Sequence, residues 1–146
     1  MKISTKGRYA LRMLVDLAEH DDGETFIPLK DIAERQGISK KYLEQIIPIF
    51  NRSDILLTTR GFQGGYRLAR NADKYTVGEI LRLTEGSLAP VACLDSDENT
   101  CDRAEYCETL YVWEGLKKAI ENYLDSITIQ DIVDRAKQSY SDNYVI

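Results

Sequence analysis

The sequence of 146 residues has few of the residue types that usually build metal sites, disulfide frameworks and catalytic dyads. It contains one His, three Cys, one Trp and three Pro. An odd number of cysteines, none of them in a Cys-x-x-Cys pair, argues against a disulfide framework and against the usual zinc-ribbon spacing. A single histidine, His20, leaves no nucleophile–base pair that we can assemble, so we expect no enzyme activity.

Long apolar runs are also missing. No run approaches the roughly 20 residues that a membrane-spanning helix needs. The first twelve residues carry four cations, and the segment after them is interrupted by Asp16 and Glu19, unlike the apolar core of a secretory signal. We therefore expect no membrane partner and a cytoplasmic location.

The chain as a whole lacks the positive charge that is typical of nucleic-acid binders. It has 19 Lys+Arg against 24 Asp+Glu, a net charge of −5. The charge is divided unevenly, because residues 1–82 hold 14 cations and 11 anions (+3) and residues 83–146 hold 5 and 13 (−8). Such asymmetry indicates that one half alone contacts nucleic acid. The first twelve residues contain no acid and four cations, Lys2, Lys6, Arg8 and Arg12.

The apolar spacing of the first fifty residues predicts three helices. The first spans about Thr5 to Glu19, and Pro28 begins a second, short helix that ends at Gly37. Ser39 is a good N-cap for the third. Pro48 removes one backbone hydrogen bond there, so we expect a bend or an early end. The inward positions of the third helix are Leu43, Ile46, Ile47 and Phe50.

The segment after these helices is typical of a β-hairpin. Residues 55–59 and 66–68 favour strands, and the connection at residues 60–65 is rich in glycine. Two helices joined across a glycine turn after a supporting helix form a helix-turn-helix, and a hairpin makes it a winged helix. Thr76 and Glu79 form a capping box for a fourth helix that ends near Thr84.

The C-terminal half contains a loop and two further helices. Residues 85–107 show no helical period, a long helix follows from about Glu108 to Asp125, and Thr128 begins a last helix to about Tyr140. The fold class is therefore mainly α with a small β-hairpin wing, organised as a winged helix-turn-helix (1–84), a cysteine loop (85–107) and a dimerisation and tail segment (108–146). We interpret the narrow apolar seam of the long helix as a dimer interface, although it could equally pack on its own domain. Its residues are Trp113, Leu116, Ile120 and Tyr123.

Polar side chains turned outward near the start of the third helix favour DNA contact. Gln45 can form two hydrogen bonds with adenine, Glu44 can accept a hydrogen bond from cytosine, and Lys40 can reach guanine or phosphate. Arg60, at the wing, is placed for a narrow minor groove. Tyr42 could contact the DNA backbone or pack at the domain edge. The candidate DNA-binding residues are Lys2, Arg8, Ser39, Lys40, Lys41, Tyr42, Glu44, Gln45, Arg60 and Gly61.

The three cysteines, Cys93, Cys101 and Cys107, fall within fifteen residues as C-x7-C-x5-C. Three soft thiolates on one loop suit an iron–sulfur cluster that a fourth ligand completes. Many carboxylates share this loop, and we expect them to raise the thiol pKa and to oppose an anionic cluster. The alternative is three unliganded thiols in a solvated loop, the state we expect in an oxidised, purified sample.

Several motifs together resemble the Rrf-two (Rrf2) family of bacterial winged-helix regulators. They are Met1–Leu11, Gly37–Ser39, Tyr42–Gln45, Arg60–Gly61, Gly64–Tyr66, Leu68–Ala69, Trp113 and Leu124–Thr128. The resemblance implies a homodimeric transcription factor, which we expect to be a repressor, on a palindromic double-stranded DNA operator. By the same similarity Lys41, Tyr42, Glu44 and Gln45 read DNA, and Arg60 is the minor-groove arginine of the wing.

The position of the cysteines resembles the iron–sulfur sensor branch of that family, typified by the iron–sulfur cluster regulator and the nitric-oxide-sensing repressor. This implies a 2Fe–2S cluster on the three thiolates and a redox response. In the iron–sulfur cluster regulator the fourth ligand is a histidine, and this chain has Leu110 at that position. In the nitric-oxide-sensing repressor it is an aspartate, and this chain has Arg8 there. Candidates for the fourth ligand that lie nearer the loop are Asp102 and Glu108.

The last residues of the chain favour an alternative function. Tyr144 and the terminal Ile146 resemble the tail of the cysteine-metabolism repressor branch. That resemblance implies control through complex formation with cysteine synthase, whose pocket would capture the terminal carboxylate. The plain alternative is a frayed end.

Overall fold

The computed structural model describes residues 1–143, which form six α-helices and one two-stranded hairpin. Tyr144 and Ile146, the predicted partner-binding residues, lie outside the described residues. The predicted fold class, mainly α with a winged helix-turn-helix and a long helix, is confirmed. The elements are α1 (Thr5–Glu19), α2 (Leu29–Gln36), α3 (Lys40–Asn51), β1 (Leu56–Thr59), β2 (Gly65–Leu68), α4 (Val77–Glu85), α5 (Leu110–Asp125) and α6 (Ile129–Asn143).

Side-chain caps explain where the helices begin. The Ser39 hydroxyl accepts a hydrogen bond from Tyr42 N at 3.0 Å, and Thr76 does the same for Glu79 N at 3.0 Å. Thr128 and Asp131 cap each other at the start of α6, through N···O distances of 2.9 and 3.0 Å. Since each cap satisfies donors that have no partner within the helix, these short polar residues fix the boundaries that the sequence predicts.

Of the two expectations for Pro48, a bend or an early end of α3, the early end is wrong. The helix continues to Asn51, three residues beyond the proline. Ile46, Ile47 and Phe50 are all buried on the inner side of this stretch, so packing holds it helical. Pro48 itself is exposed, and so is Glu44, whose carbonyl loses its helical donor to the proline.

The hairpin gains a third partner from the chain between α1 and α2. β1 and β2 pair antiparallel, with Leu56 opposite Leu68. Ile27 and Tyr66 exchange two backbone hydrogen bonds of 2.9 Å, which adds Ile27 beside β2. Gly65 permits this approach, because a Cβ there would collide with the Ile27 carbonyl group. The wing is therefore tied to the helical core at its base.

The main core lies between α1, α2, α3, the wing and α6. Tyr75 is fully buried, and its hydroxyl accepts from Arg70 N at 2.7 Å and donates to the Ile55 carbonyl at 3.1 Å. Ile129, at the start of α6, belongs to the same core, and Val133 is also buried. The last helix therefore folds back against the winged helix. The three-part division by residue numbers remains a prediction.

The long helix α5 has no buried residue over its 16 positions. Its C-terminal half is attached to α4, because Ile120 and Leu124 pack on the small cluster of Val77, Leu81 and Leu88. Arg82 donates to both carboxylate oxygens of Asp125 at 2.8 Å. Within residues 1–143, no helix combines the length and apolar character that crossing a bilayer requires.

Candidate nucleic-acid interface

The first turns of α3 present a polar face to solvent. Lys40, Lys41, Glu44 and Gln45 are exposed, whereas Leu43 and Ile46 on the same turns are fully buried. The outward orientation that the sequence predicts is therefore present. Ser39 is exposed but its oxygen is engaged in capping α3, so its hydroxyl positions the helix.

Tyr42 packs at the domain edge, one of the two roles that the sequence left open, and its contact with DNA remains a prediction. Its ring meets the edge of Tyr9 of α1, with centroids 5.2 Å apart and planes at 74°. The Arg12 guanidinium lies over the Tyr9 ring and donates to the side chain and to the backbone carbonyl of Gln36. Four residues thus link α1, α2 and α3 through one small surface cluster.

A buried carboxylate that sequence reasoning missed fixes α2 against α1. Asp16 is only 1% exposed, yet it accepts from Arg35 at 2.7 and 3.0 Å and from Gln36 Nε2 at 3.0 Å. The hydrogen bond to Asp16 raises the pKa of Arg35, so the guanidinium stays charged. Since α2 supports α3, this ion pair sets where the polar face points. The sequence held only a weak signal, an acid on the apolar side of α1.

A groove of about 480 Å³ lies between α2, α3 and the wing. Lys40 and Glu44 of α3 line it on one side and Arg60 and Gly61 of the wing on the other, so the fold brings these four candidates together. Lys30, which sequence reasoning missed, joins them from the first turn of α2. Its position could have identified it, because the first helix of a helix-turn-helix, here α2, crosses the DNA backbone. Lys41 and Gln45 are exposed on α3 outside this lining.

The other cationic candidates lie elsewhere. Lys2 and Arg8 are exposed at the start of α1, and neither lines the groove. Arg8 Nη2 donates to Thr5 Oγ1 at 3.0 Å, within the first turn. Their contact with DNA remains a prediction.

The cysteine loop contains two single helical turns, Ala92–Leu94 and Ala104–Tyr106. Cys93 and Cys107 are half-buried and Cys101 is exposed. The Thr109 hydroxyl, 3.6 Å from the Cys107 sulfur, lowers the pKa of that thiol, and backbone N–H groups and Arg103 act in the same direction. For Cys107 this is opposite to the upward shift expected from the acidic loop, since these groups are in direct reach of the sulfur.

The donor chemistry of this loop suits an iron–sulfur cluster, but its arrangement does not. Among residues 1–143, no three His, Cys, Asp or Glu side chains are gathered in a way that could hold a metal ion. Asp102 and Glu108, the candidate fourth ligands, are exposed. His20 lies at the end of α1, with Nδ1 2.8 Å from the Asp16 carbonyl. A cluster on these thiols requires a different loop conformation.

The predicted dimer seam divides between two faces of α5. Leu116 and Tyr123 are 43% and 66% exposed, and Trp113 is half-buried. Ile120 is half-buried against the small cluster of its own chain, and its part in a dimer remains a prediction. Val112, 42% exposed, lies one turn before Leu116 on the same side of the helix, whereas Tyr111, 75% exposed, lies about 100° around the helix from Val112. We call Val112, Leu116 and Tyr123 the outer face of α5.

These features together define a class of protein. The second helix of a helix-turn-helix presents polar side chains, and a hairpin with an exposed arginine lies beside it. This is the arrangement of winged-helix DNA-binding regulators.

Comparison with known proteins gives the family. The chain belongs to the Rrf2 family, described as iron-dependent transcriptional regulators, whose model matches residues 3–135. It is 39% identical over 133 residues to protein rrf2 of Nitratidesulfovibrio vulgaris, covering 91% of this chain and 87% of that one. It is thus a DNA-binding transcriptional regulator and not an enzyme.

Two solved structures show the same fold. T. potens IscR superposes with a TM-score of 0.76 at 42% identity, over 95% of this chain and 90% of that one. CymR, the global cysteine regulator of B. subtilis, superposes with a TM-score of 0.75 at 33% identity, over 92% and 98%.

Proposed function

We propose that the protein is a homodimeric repressor that reads a palindromic operator with α3 in the major groove and the wing beside it. The observation that carries this proposal is the groove in which Lys40, Glu44 and Arg60 converge. Because its ligand is the chromosome, its place of action is the cytoplasm. Gln45 and Lys41 contact base edges, and Lys30 contacts phosphate.

The dimer is supported by the outer face of α5. Four large apolar side chains are exposed along this helix and none is buried. Three of them, Val112, Leu116 and Tyr123, share one side of the helix, and an exposed apolar face of this kind favours an interface. A second copy of α5 covers it and sets the two wings at a fixed separation.

Salt and a matched pair of variants test DNA binding. A duplex selected from a random-sequence pool by the protein serves as probe, and its affinity should fall steeply as salt rises. Arg60→Ala should weaken binding of this duplex about tenfold or more. Lys137→Ala removes the same charge from the exposed, distant face of α6 and should leave the affinity unchanged. An affinity that ignores salt, or equal losses in both variants, contradicts the proposal.

We further propose that the chemistry of the loop thiols, as a bound iron–sulfur cluster or as oxidised cysteines, changes DNA affinity. The support is a loop with three thiols that leads directly into α5 and is attached to it, since Lys117 Nζ donates to the Leu94 carbonyl at 3.0 Å. Anaerobic reconstitution with iron and sulfide should give a visible absorption band that disappears when all three cysteines are replaced by serine. No band, or a band that survives the replacement, contradicts the cluster.

The alternative is a regulator of cysteine metabolism that cysteine synthase controls. Its support is the likeness to CymR, the global cysteine regulator, which extends over 92% of this chain. The tail residues that would bind the enzyme, Tyr144 and Ile146, lie outside the described residues. Deletion of the last two residues should abolish binding to cysteine synthase, and unchanged binding refutes this alternative.

A further inference from the structure

The tip of the wing carries a large apolar side chain that no contact within the fold explains. Phe62 is 105% exposed, more than any other large hydrophobic residue in the part of the chain that is described. Removal of a Phe ring from water is favourable, and in the free protein the ring of Phe62 stays in water. Its position in the fold indicates where the ring becomes covered.

Phe62 and Gln63 are the two central residues of a tight turn. Gly64 N donates to the Gly61 carbonyl at 2.9 Å, which closes the turn, and Gly61 has a positive φ of 103°. A Cβ at Gly64 would lie 2.7 Å from the Thr59 carbonyl oxygen and 2.9 Å from that of Gly61. The backbone of the tip is therefore closely packed on itself. Because the turn is already ordered, little conformational entropy is lost when its exposed side chains enter a binding site.

The tip directly follows the groove residues Arg60 and Gly61 along the chain, while Phe62 and Gln63 themselves border a separate cavity beside Thr25 and Phe26. Arg60, Gly61 and Gly64 line that groove together with Lys40 and Glu44 of α3. Phe62 and Gln63 follow directly, and both are exposed. When α3 occupies the major groove, the end of the wing therefore meets the neighbouring minor groove.

The residue types at the tip suit that groove. Proteins that enter the minor groove read it with Arg, Lys, Asn or Gln and often insert an apolar wedge such as Phe between base pairs, which kinks the duplex. The minor groove of B-DNA is about 6 Å wide, and paired strands lie about 4.8 Å apart without their side chains. A hairpin tip enters fully only where the groove opens, and a kink toward the major groove opens it.

We propose that Phe62 is a minor-groove wedge that inserts between two base pairs and kinks the operator. The proposal rests on the DNA-binding function proposed above and adds a bend and a local sequence preference to it. Pyrimidine–purine steps such as TA and CA unstack most easily, so the operator should carry one under each wing. Arg60 and Gln63 contact the groove on either side of the inserted ring.

Bending of a selected duplex tests the wedge separately from binding. The probe is a duplex selected from a random pool by the wild-type protein, labelled at both ends for energy transfer, with 2-aminopurine at the step under the wing. Phe62→Ala should reduce the bend by about 20° or more and abolish the rise in 2-aminopurine fluorescence, whereas Phe62→Leu keeps an apolar wedge and most of both signals. Since the ring has no contact to lose, both variants should melt at the wild-type temperature.

The possible results distinguish the wedge from the function on which it rests. If the wild-type protein selects no duplex, the DNA-reading function itself fails. If the wild-type protein binds a selected duplex without bending it, or Phe62→Ala bends it equally, only the wedge is overturned. In that case the exposed ring of Phe62 would contact another protein and not DNA.

Discussion

Two glycines on neighbouring helices differ in the space beside their α carbons, and this difference predicts opposite effects of alanine. A Cβ at Gly78 of α4 would collide with the Asp125 carboxylate, whereas Gly115 of α5 has no atom within 4 Å. Gly78→Ala should therefore lower the free energy of unfolding by at most about 1 kcal/mol, the most that the displaced pair of Asp125 and Arg82 contributes. Gly115→Ala should raise it by about 0.5–1 kcal/mol, since alanine is the better helix former.

Urea denaturation at one fixed protein concentration measures both effects, because association would otherwise change the apparent stability. Equal effects of the two substitutions would show that α5 does not approach α4 as closely as described.

The ion pair between Arg82 and Asp125 predicts a pH dependence with a defined sign. Its hydrogen bonds lower the pKa of Asp125, so the stabilisation is fully present above the unfolded value of about 3.9 and is lost as the pH falls through the lower folded value. Because the two side chains are 38% and 43% exposed, the pair contributes at most about 1 kcal/mol. The stability difference between wild type and Asp125→Asn should therefore shrink toward zero below pH 4. A difference that is constant between pH 7 and pH 3 would contradict this.

At the residue scale, the sequence predicts best those features that depend on near neighbours in the chain. Ser39 and Thr76 cap helices because their hydrogen-bond partners lie three residues away. Asp16 could not be predicted as a buried ion, since its partner Arg35 comes from another helix. The lowered pKa of Cys107 was missed because the charge count of the loop outweighed one hydroxyl two residues away.

At the scale of elements, one side-chain hydrogen bond attaches the first turn of the cysteine loop to α5, and it can be removed without touching a cysteine. Lys117→Met removes the contact between Nζ and the Leu94 carbonyl and keeps most of the apolar stem. We expect amide hydrogen exchange of residues 92–95 to accelerate severalfold, because the turn that carries Cys93 loses its anchor. Lys118→Met is the matched control, since Lys118 is exposed on the next position of α5. Equal exchange in both variants would show that the loop is held by other contacts.

The long helix shows why an apolar seam does not identify its own partner. The spacing of Ile120, Leu124 and Ile127 is helical, and these residues pack on the chain's own small cluster. Leu116 and Tyr123 belong to the adjacent, outer face. Helical spacing specifies which residues lie on one side of a helix, whereas the tertiary fold decides which side meets α4. For the same reason α3 continues through Pro48, since buried neighbours override a local preference.

At the scale of the whole molecule, the net charge of −5 is the sum of two parts with opposite charge. The part with a net charge of +3 contains the groove of Lys30, Lys40 and Arg60, and the part with −8 contains the cysteine loop and α5. The sequence predicts this division and the winged helix. It does not predict that α6 returns to the core of the winged helix, because a buried Ile129 looks the same in either location.

A net charge of +3 gives each copy modest electrostatic attraction to DNA, so affinity depends on two copies binding together. The two wings can act on one operator only if the outer faces of α5 hold the subunits in a fixed geometry. Leu116→Glu, which places a charge on the outer face, should therefore convert the dimer to a monomer in analytical ultracentrifugation. Sedimentation as a dimer after this change would place the interface elsewhere.

Hydroxyl-radical footprinting of the selected duplex tests most directly whether a dimer reads a palindrome through α3 and the wing. The wild-type protein should protect two equal patches related by the dyad of the duplex, with centres about 10–10.5 base pairs apart or a multiple of that spacing. Leu116→Glu should remove both patches together. A single unpaired patch, or two patches that survive in Leu116→Glu, would contradict a dimeric reader.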